Sequence, residues 1–119
     1  MKSEKDGIKE RSYKFALRIL NLGKSLPKSR AGDVLGRQIT RSGTSIGANV
    51  EEAIGAFSKE DFTFKMNTAL KEARETQYWL RLTRDSNLVA ANRMESLIQE
   101  AEEITKILGA IVRSSRAKK

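Results

Sequence analysis

The chain has 119 residues, of which 39% are hydrophobic and 32% charged, the size and composition of one soluble globular domain. It contains neither cysteine nor histidine, which excludes disulfides, thiol nucleophiles and thiolate or imidazole metal sites. The net charge of +8 is uneven: residues 1–41 hold eleven basic and four acidic side chains (+7), residues 42–112 hold eight and eleven (−3), and residues 113–119 add four basic ones. This distribution suggests a polyanionic partner.

Apolar residues recur at steps of three and four, which predicts helices, and the first spans about residues 8–25. It ends near Ser25, because Pro27 cannot continue a helix. Its predicted core face comprises Ile8, Ser12, Phe15, Ile19, Leu22 and Leu26.

The second predicted helix spans residues 31–56 and contains three glycines on one side, Gly36, Gly43 and Gly47. Glycine costs roughly 1 kcal/mol in a helix interior, so this pattern indicates close approach of a neighbouring helix, within or between subunits. We assign Gly43 and Gly47 to an oligomer interface. The core stripe of this helix comprises Leu35, Ile39, Ser42, Ile46, Val50 and Ala53.

The third predicted helix spans residues 59–84 and begins at a capping box formed by Ser58 and Asp61. Its core face comprises Phe62, Met66, Ala69, Leu70, Ala73, Gln77 and Leu80. The fourth spans residues 90–113 and buries Met94, Leu97, Ile98, Ala101, Ile104, Leu108, Ile111 and Val112. The short connections favour antiparallel neighbours, so the chain is expected to fold as one all-α, up-and-down four-helix bundle with frayed ends at residues 1–6 and 114–119.

Two helices carry a second apolar stripe that one bundle core cannot cover. These residues are Tyr13, Leu17 and Leu20 in helix 1, and Phe64, Tyr78, Trp79 and Leu82 in helix 3. A second apolar face normally marks a partner surface, and we assign these residues to a homo-oligomer interface. The alternative is scattered exposed hydrophobic residues, which are common on any protein.

The basic residues of the first two helices and their connection are expected to form a surface for phosphate contacts. The eight residues are Arg11, Lys14, Arg18, Lys24, Lys28, Arg30, Arg37 and Arg41. Such a surface would recognise nucleic acid by backbone and shape, with binding that falls steeply as salt rises. The alternatives are a solvated charged face and a surface for an acidic protein.

No catalytic site is expected. The carboxylate pairs on helices 2 and 3 lack the Glu-x-x-His partners of a di-metal bundle, and no phosphate-binding loop or nucleophile elbow is present. We therefore predict no enzyme activity, no metal and no cofactor. The charged segment 1–10 and the lack of any apolar run near ~20 residues predict a cytoplasmic protein without membrane contact.

The segment from Arg41 to Ala53, RSGTSIGANVEEA, resembles the S-I-x-A-N-I-x-E-G/A signature of the four-helix-bundle proteins encoded in intervening sequences of bacterial 23S ribosomal RNA genes. The similarity extends from about Tyr13 to Ile111, and includes the run from Ala69 to Leu80. It implies a bacterial protein, a left-handed bundle, a ring of five subunits and a basic surface that contacts RNA or ribosomal assemblies. Relatives of similar fold serve diversity-generating retroelements as basic accessory proteins that engage a reverse transcriptase and its template RNA.

Four polar residues match the polar positions of that signature: Ser45, Asn49, Glu52 and Glu75. We expect them to form hydrogen bonds between helices or across a subunit boundary, with a ligand site as the less favoured alternative. Two hypotheses for function remain. One is an oligomer that binds nucleic acid, such as ribosomal or retroelement RNA, and the other is a scaffold for an acidic protein partner, such as a reverse transcriptase or a ribosomal protein.

Overall fold

Four helices run the length of the molecule in the computed structural model, which describes residues 4–117. They are α1 (Glu4–Ser25), α2 (Arg30–Ile54), α3 (Lys59–Asp85) and α4 (Ala91–Ala117). A 27-residue helix is about 40 Å long at 1.5 Å per residue, in keeping with overall dimensions of 48 × 24 × 20 Å. None of these four helices combines the length and apolar character needed to cross a membrane, within the residues described.

Local capping chemistry fixes the helix starts that the sequence predicted. Ser29 accepts a hydrogen bond from the Gly32 N–H at 3.1 Å, and Ser58 accepts one from the Asp61 N–H at 3.0 Å. Both serines are N-caps, which satisfy donors that have no partner inside the helix. The Ser58 half of the predicted capping box therefore begins α3 as expected.

Contacts between consecutive helices establish the antiparallel order. Along α1 and α2, Ile19 lies against Gly43, whereas Ser12 lies against Gly47, so the chain numbers run in opposite directions. Helices α1 and α4 also pack together, which closes the bundle, and the diagonal pairs do not approach within 8 Å between Cα atoms of the described residues. The prediction of an all-α, up-and-down four-helix bundle is confirmed, and the left-handed sense of the bundle stays a prediction.

One core cluster of apolar residues fills the space between the four helices, and the stripes predicted from the sequence supply almost all of it. Phe15, Ile19, Ile39 and Leu108 are among its fully buried members. Each such side chain stabilises the fold by about 1.5–3 kcal/mol relative to an exposed position. Leu22, Leu26 and Phe62 are only partly buried and pack at its margin.

Three helix ends differ from the prediction by two residues or more. Helix α1 begins at Glu4 rather than at residue 8, so residues 4–6 of the predicted frayed end are helical. Helix α2 ends at Ile54, two residues early, where the Gly55 N–H donates to the Glu51 carbonyl at 3.2 Å. Residues 114–119 were expected to fray, but helix α4 continues to Ala117. It does so because Ser115 is buried and hydrogen-bonded to Thr63 of α3. Residues 1–3 and 118–119 of the predicted frayed ends lie outside the described residues.

The glycines of α2 make contacts inside one chain, which corrects the assignment of Gly43 and Gly47 to an oligomer interface. A Cβ atom at Gly43 would lie 2.8 Å from Ile19 Cγ1, and one at Gly47 would lie 3.4 Å from the Ser12 carbonyl oxygen. Both positions face α1 of the same chain. The glycines let α1 and α2 of one chain approach closely. The sequence had left open whether the close approach was within a subunit or between subunits.

Candidate nucleic-acid interface

The eight basic residues predicted from the sequence do not form one continuous surface. Arg11 and Arg18 of α1 turn towards α4, and Arg41 of α2 turns towards α3. Lys14 pairs with Glu10, one turn away on the same helix, at 3.0 Å. Arg11, Lys14 and Arg41 are paired with carboxylates, so the predicted surface is smaller than the sequence suggested. Arg18 donates only to the neutral Ser96 hydroxyl and keeps its net charge.

Arg11 forms a bidentate contact with one glutamate of α4. Its Nε donates to Glu100 Oε2 at 3.0 Å, and its Nη2 donates to Glu100 Oε1 at 2.6 Å. The hydrogen bond to Glu100 raises the pKa of the Arg11 guanidinium above its ordinary value. A bidentate pair of this kind holds α1 against α4 and neutralises the charge that a phosphate would need. Arg11 is thus removed from the predicted interface.

Arg41 has a similar role between α2 and α3. Its Nη1 donates to Glu72 at 3.2 Å, its Nη2 bonds Glu75, and its Nε donates to Gln38 at 3.2 Å. Glu75 also accepts a hydrogen bond from Trp79 Nε1 at 3.0 Å. Two carboxylates therefore offset the charge of Arg41, and its primary contacts hold the bundle together.

Four basic residues remain at the end of the bundle where α1 connects to α2: Lys24, Lys28, Arg30 and Arg37. All four are exposed, and within residues 4–117 none of them forms an ion pair with a carboxylate. Because α1 ends and α2 begins there, a connection of four residues brings both helix ends to one place. These four residues, which we call the connection cluster, carry four uncompensated positive charges.

A wide, shallow groove of about 1000 Å³ lies between α1 and α2 beside this cluster. Its lining includes Lys24, Arg37 and Arg41, together with one acidic residue, Asp33. Gly23 and Gly36 line it as well. The groove is thus a concave surface with a net positive lining.

The polar residues of the sequence signature contact mostly their own chain's backbone and neighbouring helices. Ser45 Oγ donates to the Arg41 carbonyl at 2.7 Å, and Asn49 Nδ2 donates to the Ser45 carbonyl at 2.9 Å, both within α2. Glu52 and Glu75 connect α2 to α3, through Lys65 at 2.8 Å and through Arg41. These bonds explain the four residues without a ligand.

A buried hydroxyl pair between α2 and α3 lies beneath this seam and was not singled out from the sequence. Thr76 Oγ1 donates to Ser42 Oγ at 2.9 Å, and both residues are fully buried. The sequence feature that could have predicted this pair is Ser42, a serine at a core position of the α2 stripe. Among the described residues, no group of three or more Asp or Glu side chains is placed to hold a metal ion.

The predicted apolar stripes are exposed, with one exception. Tyr13 is 60% exposed and Phe64 is 66% exposed, and Leu17, Leu20, Tyr78 and Leu82 are exposed as well. Trp79 instead packs partly against the core and meets the Tyr78 ring edge-on at 5.0 Å between centroids. Phe57 stands fully exposed in the connection between α2 and α3.

Comparison with known proteins identifies the family. The sequence profile described as "23S rRNA-intervening sequence protein" matches residues 4–110. The chain belongs to this family. Membership of the 23S rRNA-intervening sequence protein family confirms the resemblance that the segment from Arg41 to Ala53 suggested.

A solved structure of similar fold supports the same assignment. It is the crystal structure of a protein with unknown function from the S23 ribosomal protein family of Bacteroides thetaiotaomicron, 43% identical to this chain. The match covers 93% of this chain and 99% of the other, with a TM-score of 0.87. No curated protein matches the sequence.

Proposed function

We propose that this member of the 23S rRNA-intervening sequence protein family is a non-catalytic oligomer that binds nucleic acid, with RNA as the preferred ligand. The observation that supports this proposal most directly is the connection cluster. Its four residues, Lys24, Lys28, Arg30 and Arg37, form no ion pair with a carboxylate of the described residues, and two of them, Lys24 and Arg37, line a groove. Clustered, unpaired cations on a concave surface are suited to a phosphate backbone.

A basic surface of this kind would bind through phosphates rather than base edges. Lysine and arginine contacts to phosphate position a nucleic acid without reading its sequence. The four helices are long and pack side by side as a bundle, rather than as the short helices of a helix-turn-helix. We therefore expect weak sequence preference and strong salt dependence.

Titration of a fluorescently labelled RNA at several salt concentrations tests the proposal. The double variant Lys24→Ala, Arg37→Ala should bind several-fold more weakly at low salt, and its salt slope should fall by about 0.7–0.9 per lost phosphate contact. The matched control is Lys71→Ala, Arg74→Ala, which removes the same charge from two exposed residues of α3. If the RNA does not bind the unmodified protein even at low salt, the proposal is refuted.

A second candidate function is a scaffold for an acidic protein, and the exposed apolar residues favour it. Phe57, Phe64 and Tyr78 present aromatic surface that RNA phosphates would not cover. A pull-down from nuclease-treated lysate, followed by reconstitution with the purified partner, distinguishes the two. A defined acidic protein that binds the unmodified chain, but not the Lys24→Ala, Arg37→Ala variant, would favour the scaffold.

Self-association is part of the proposal, because the two apolar stripes lie on helices that do not contact each other. Helix α1 packs against α2 and α4, and α3 does likewise, so the stripes lie on opposite corners of the bundle. A two-fold dimer uses the same patch on both subunits and would cover one stripe, whereas a head-to-tail ring covers both. Five subunits is the number that the family resemblance implies.

A further inference from the structure

A small cleft between α1 and α4 is bordered by Arg18, one of the eight predicted basic residues, and by Arg93, which the sequence did not single out. It has a volume of about 180 Å³ and lies at the same end of the bundle as the connection cluster. Its polar lining comes from Arg18, Asn21 and Ser25 of α1 and from Arg93 of α4, with Leu22 and Leu97 between them. Two arginines from different helices thus border one space.

No carboxylate lines this cleft, which distinguishes it from the rest of the α1–α4 seam. Lower in the same seam, Arg11 is neutralised by Glu100. Arg18 instead donates from Nη2 to the neutral Ser96 hydroxyl at 2.9 Å, and Arg93 has no side-chain partner within residues 4–117. Two positive charges therefore meet here without compensation.

The comparable cleft between α3 and α4 has the opposite character. Its lining includes three glutamates, Glu95, Glu102 and Glu103, against two basic residues, Arg84 and Lys106. The arginine on its edge, Arg84, pairs with Asp85 at 2.8 Å, which lowers the pKa of the Asp85 carboxyl. Positive charge is therefore not a general property of the clefts between helices in this bundle.

The chemistry of the α1–α4 cleft fits a phosphate group. A guanidinium presents several N–H donors in one plane, a geometry that matches phosphate oxygens, and the Asn21 amide adds a neutral donor. Ser25 Oγ donates its hydrogen to the Leu22 carbonyl at 2.9 Å, so it contributes no free donor. A water molecule takes about 30 Å³ in the liquid, so the cleft has room for a phosphate that keeps part of its hydration. The same donors would not complement a cation or an apolar group.

We propose that this cleft, through Arg18 and Arg93, binds a backbone phosphate of the nucleic acid that also contacts the connection cluster. The inference rests on the proposed function and extends its surface across α1. Lys24 lines the α1–α2 groove on one side of α1, and the α1–α4 cleft lies on the other. A helix is about 10–12 Å wide with its side chains, a distance that one strand of nucleic acid spans within a few nucleotides.

Arg93→Gln tests this inference in the full-length protein. Arg93 is exposed, and its side chain makes no contact that folding requires, so the variant should keep its stability. In titrations with labelled RNA we expect several-fold weaker binding at low salt, and a salt slope reduced by about 0.7–0.9. The matched control is Arg113→Gln, which removes an equal charge from an exposed position near the other end of α4.

The outcomes separate this inference from the proposed function. If Arg93→Gln and Arg113→Gln behave alike while Lys24→Ala, Arg37→Ala weakens binding, the cleft inference is wrong and the proposed function stands. If the unmodified protein binds no RNA, both are wrong.

A second experiment tests whether the cleft binds a free phosphate or a backbone phosphate. Inorganic pyrophosphate is titrated into the protein, and the arginine Nε–H signals are followed in NMR spectra. Saturable shifts of Arg18 and Arg93, together with normal RNA binding by Arg93→Gln, would assign the cleft to a free phosphate and overturn the backbone assignment.

Discussion

At the scale of single residues, Gly43 decides how closely α1 and α2 approach. A Cβ atom there would lie 2.8 and 2.9 Å from the two γ carbons of Ile19, closer than real side chains come. Ile19 is fully buried in the core, so it has little room to move. The cost of glycine in a helix is therefore offset by the packing that it permits.

Gly43→Ala should lower the free energy of unfolding by about 1–3 kcal/mol, because overpacking against Ile19 outweighs the better helix propensity of alanine. Gly7→Ala is the control, since a Cβ atom there would meet nothing within 4 Å. The free energy of unfolding of Gly7→Ala should rise by up to about 1 kcal/mol. Urea denaturation measures both, and equal effects would contradict the packing explanation.

Asn87 is the one residue other than glycine with a positive φ, 62°, among those described. It follows α3 in the turn to α4, and its N–H donates to the Arg84 carbonyl at 3.1 Å. Asparagine tolerates this left-handed conformation better than most residues do. The turn therefore depends on the backbone preference of this position.

Asn87→Ala should lower the free energy of unfolding by about 1–2 kcal/mol, because alanine disfavours the left-handed region. Asn87→Gly should leave it unchanged or raise it, since glycine adopts that conformation freely. Thermal denaturation compares the two. A loss of stability in both variants would point instead to a side-chain contact of Asn87.

At the scale of helices, charged residues at the seams decide which basic side chains remain available to a ligand. Arg11 and Arg41 belong to the nucleic-acid surface predicted from the sequence. In the structure Arg11 pairs with one glutamate of α4, and Arg41 pairs with two glutamates of α3. The Arg11 and Glu100 side chains are 40% and 24% exposed, so the strength of their pair is limited by solvent screening. The pair aligns α1 with α4 more than it stabilises them.

A double-mutant cycle with Arg11→Ala and Glu100→Ala should give a coupling energy of about 0.5–1 kcal/mol in unfolding experiments. The control cycle pairs Arg11→Ala with Glu102→Ala, because Glu102 lines the α3–α4 cleft on the other side of α4. Its coupling should be near zero. Equal coupling in the two cycles would mean a general charge effect rather than a direct contact.

At the scale of the whole molecule, the exposed apolar residues are unevenly distributed. They lie on α1, α2, α3 and the α2–α3 connection, whereas α4 has no exposed large hydrophobic residue in its described part. The outer face of α4 carries residues such as Gln99 and Lys106. A ring built from these protomers would therefore leave α4 exposed to solvent.

Light scattering should give the unmodified protein a mass five times that of a single chain. Leu17→Glu and Tyr78→Glu should each lower that mass, because each places a buried charge in one of the two proposed contacts. Gln99→Glu, on the outer face of α4, is the control and should leave the mass unchanged. A monomeric unmodified protein at micromolar concentration would refute the ring.

The sequence by itself determined the four helices, their core stripes and the family, because helical periodicity and capping are local and the Arg41–Ala53 signature is specific. Which basic residues stay unpaired was decided only by tertiary structure. Arg11 and Glu100 are 89 positions apart, and Arg41 and Glu72 are 31 apart, so no local pattern reveals either contact. The cleft between Arg18 and Arg93 likewise exists only because α1 and α4 close the bundle.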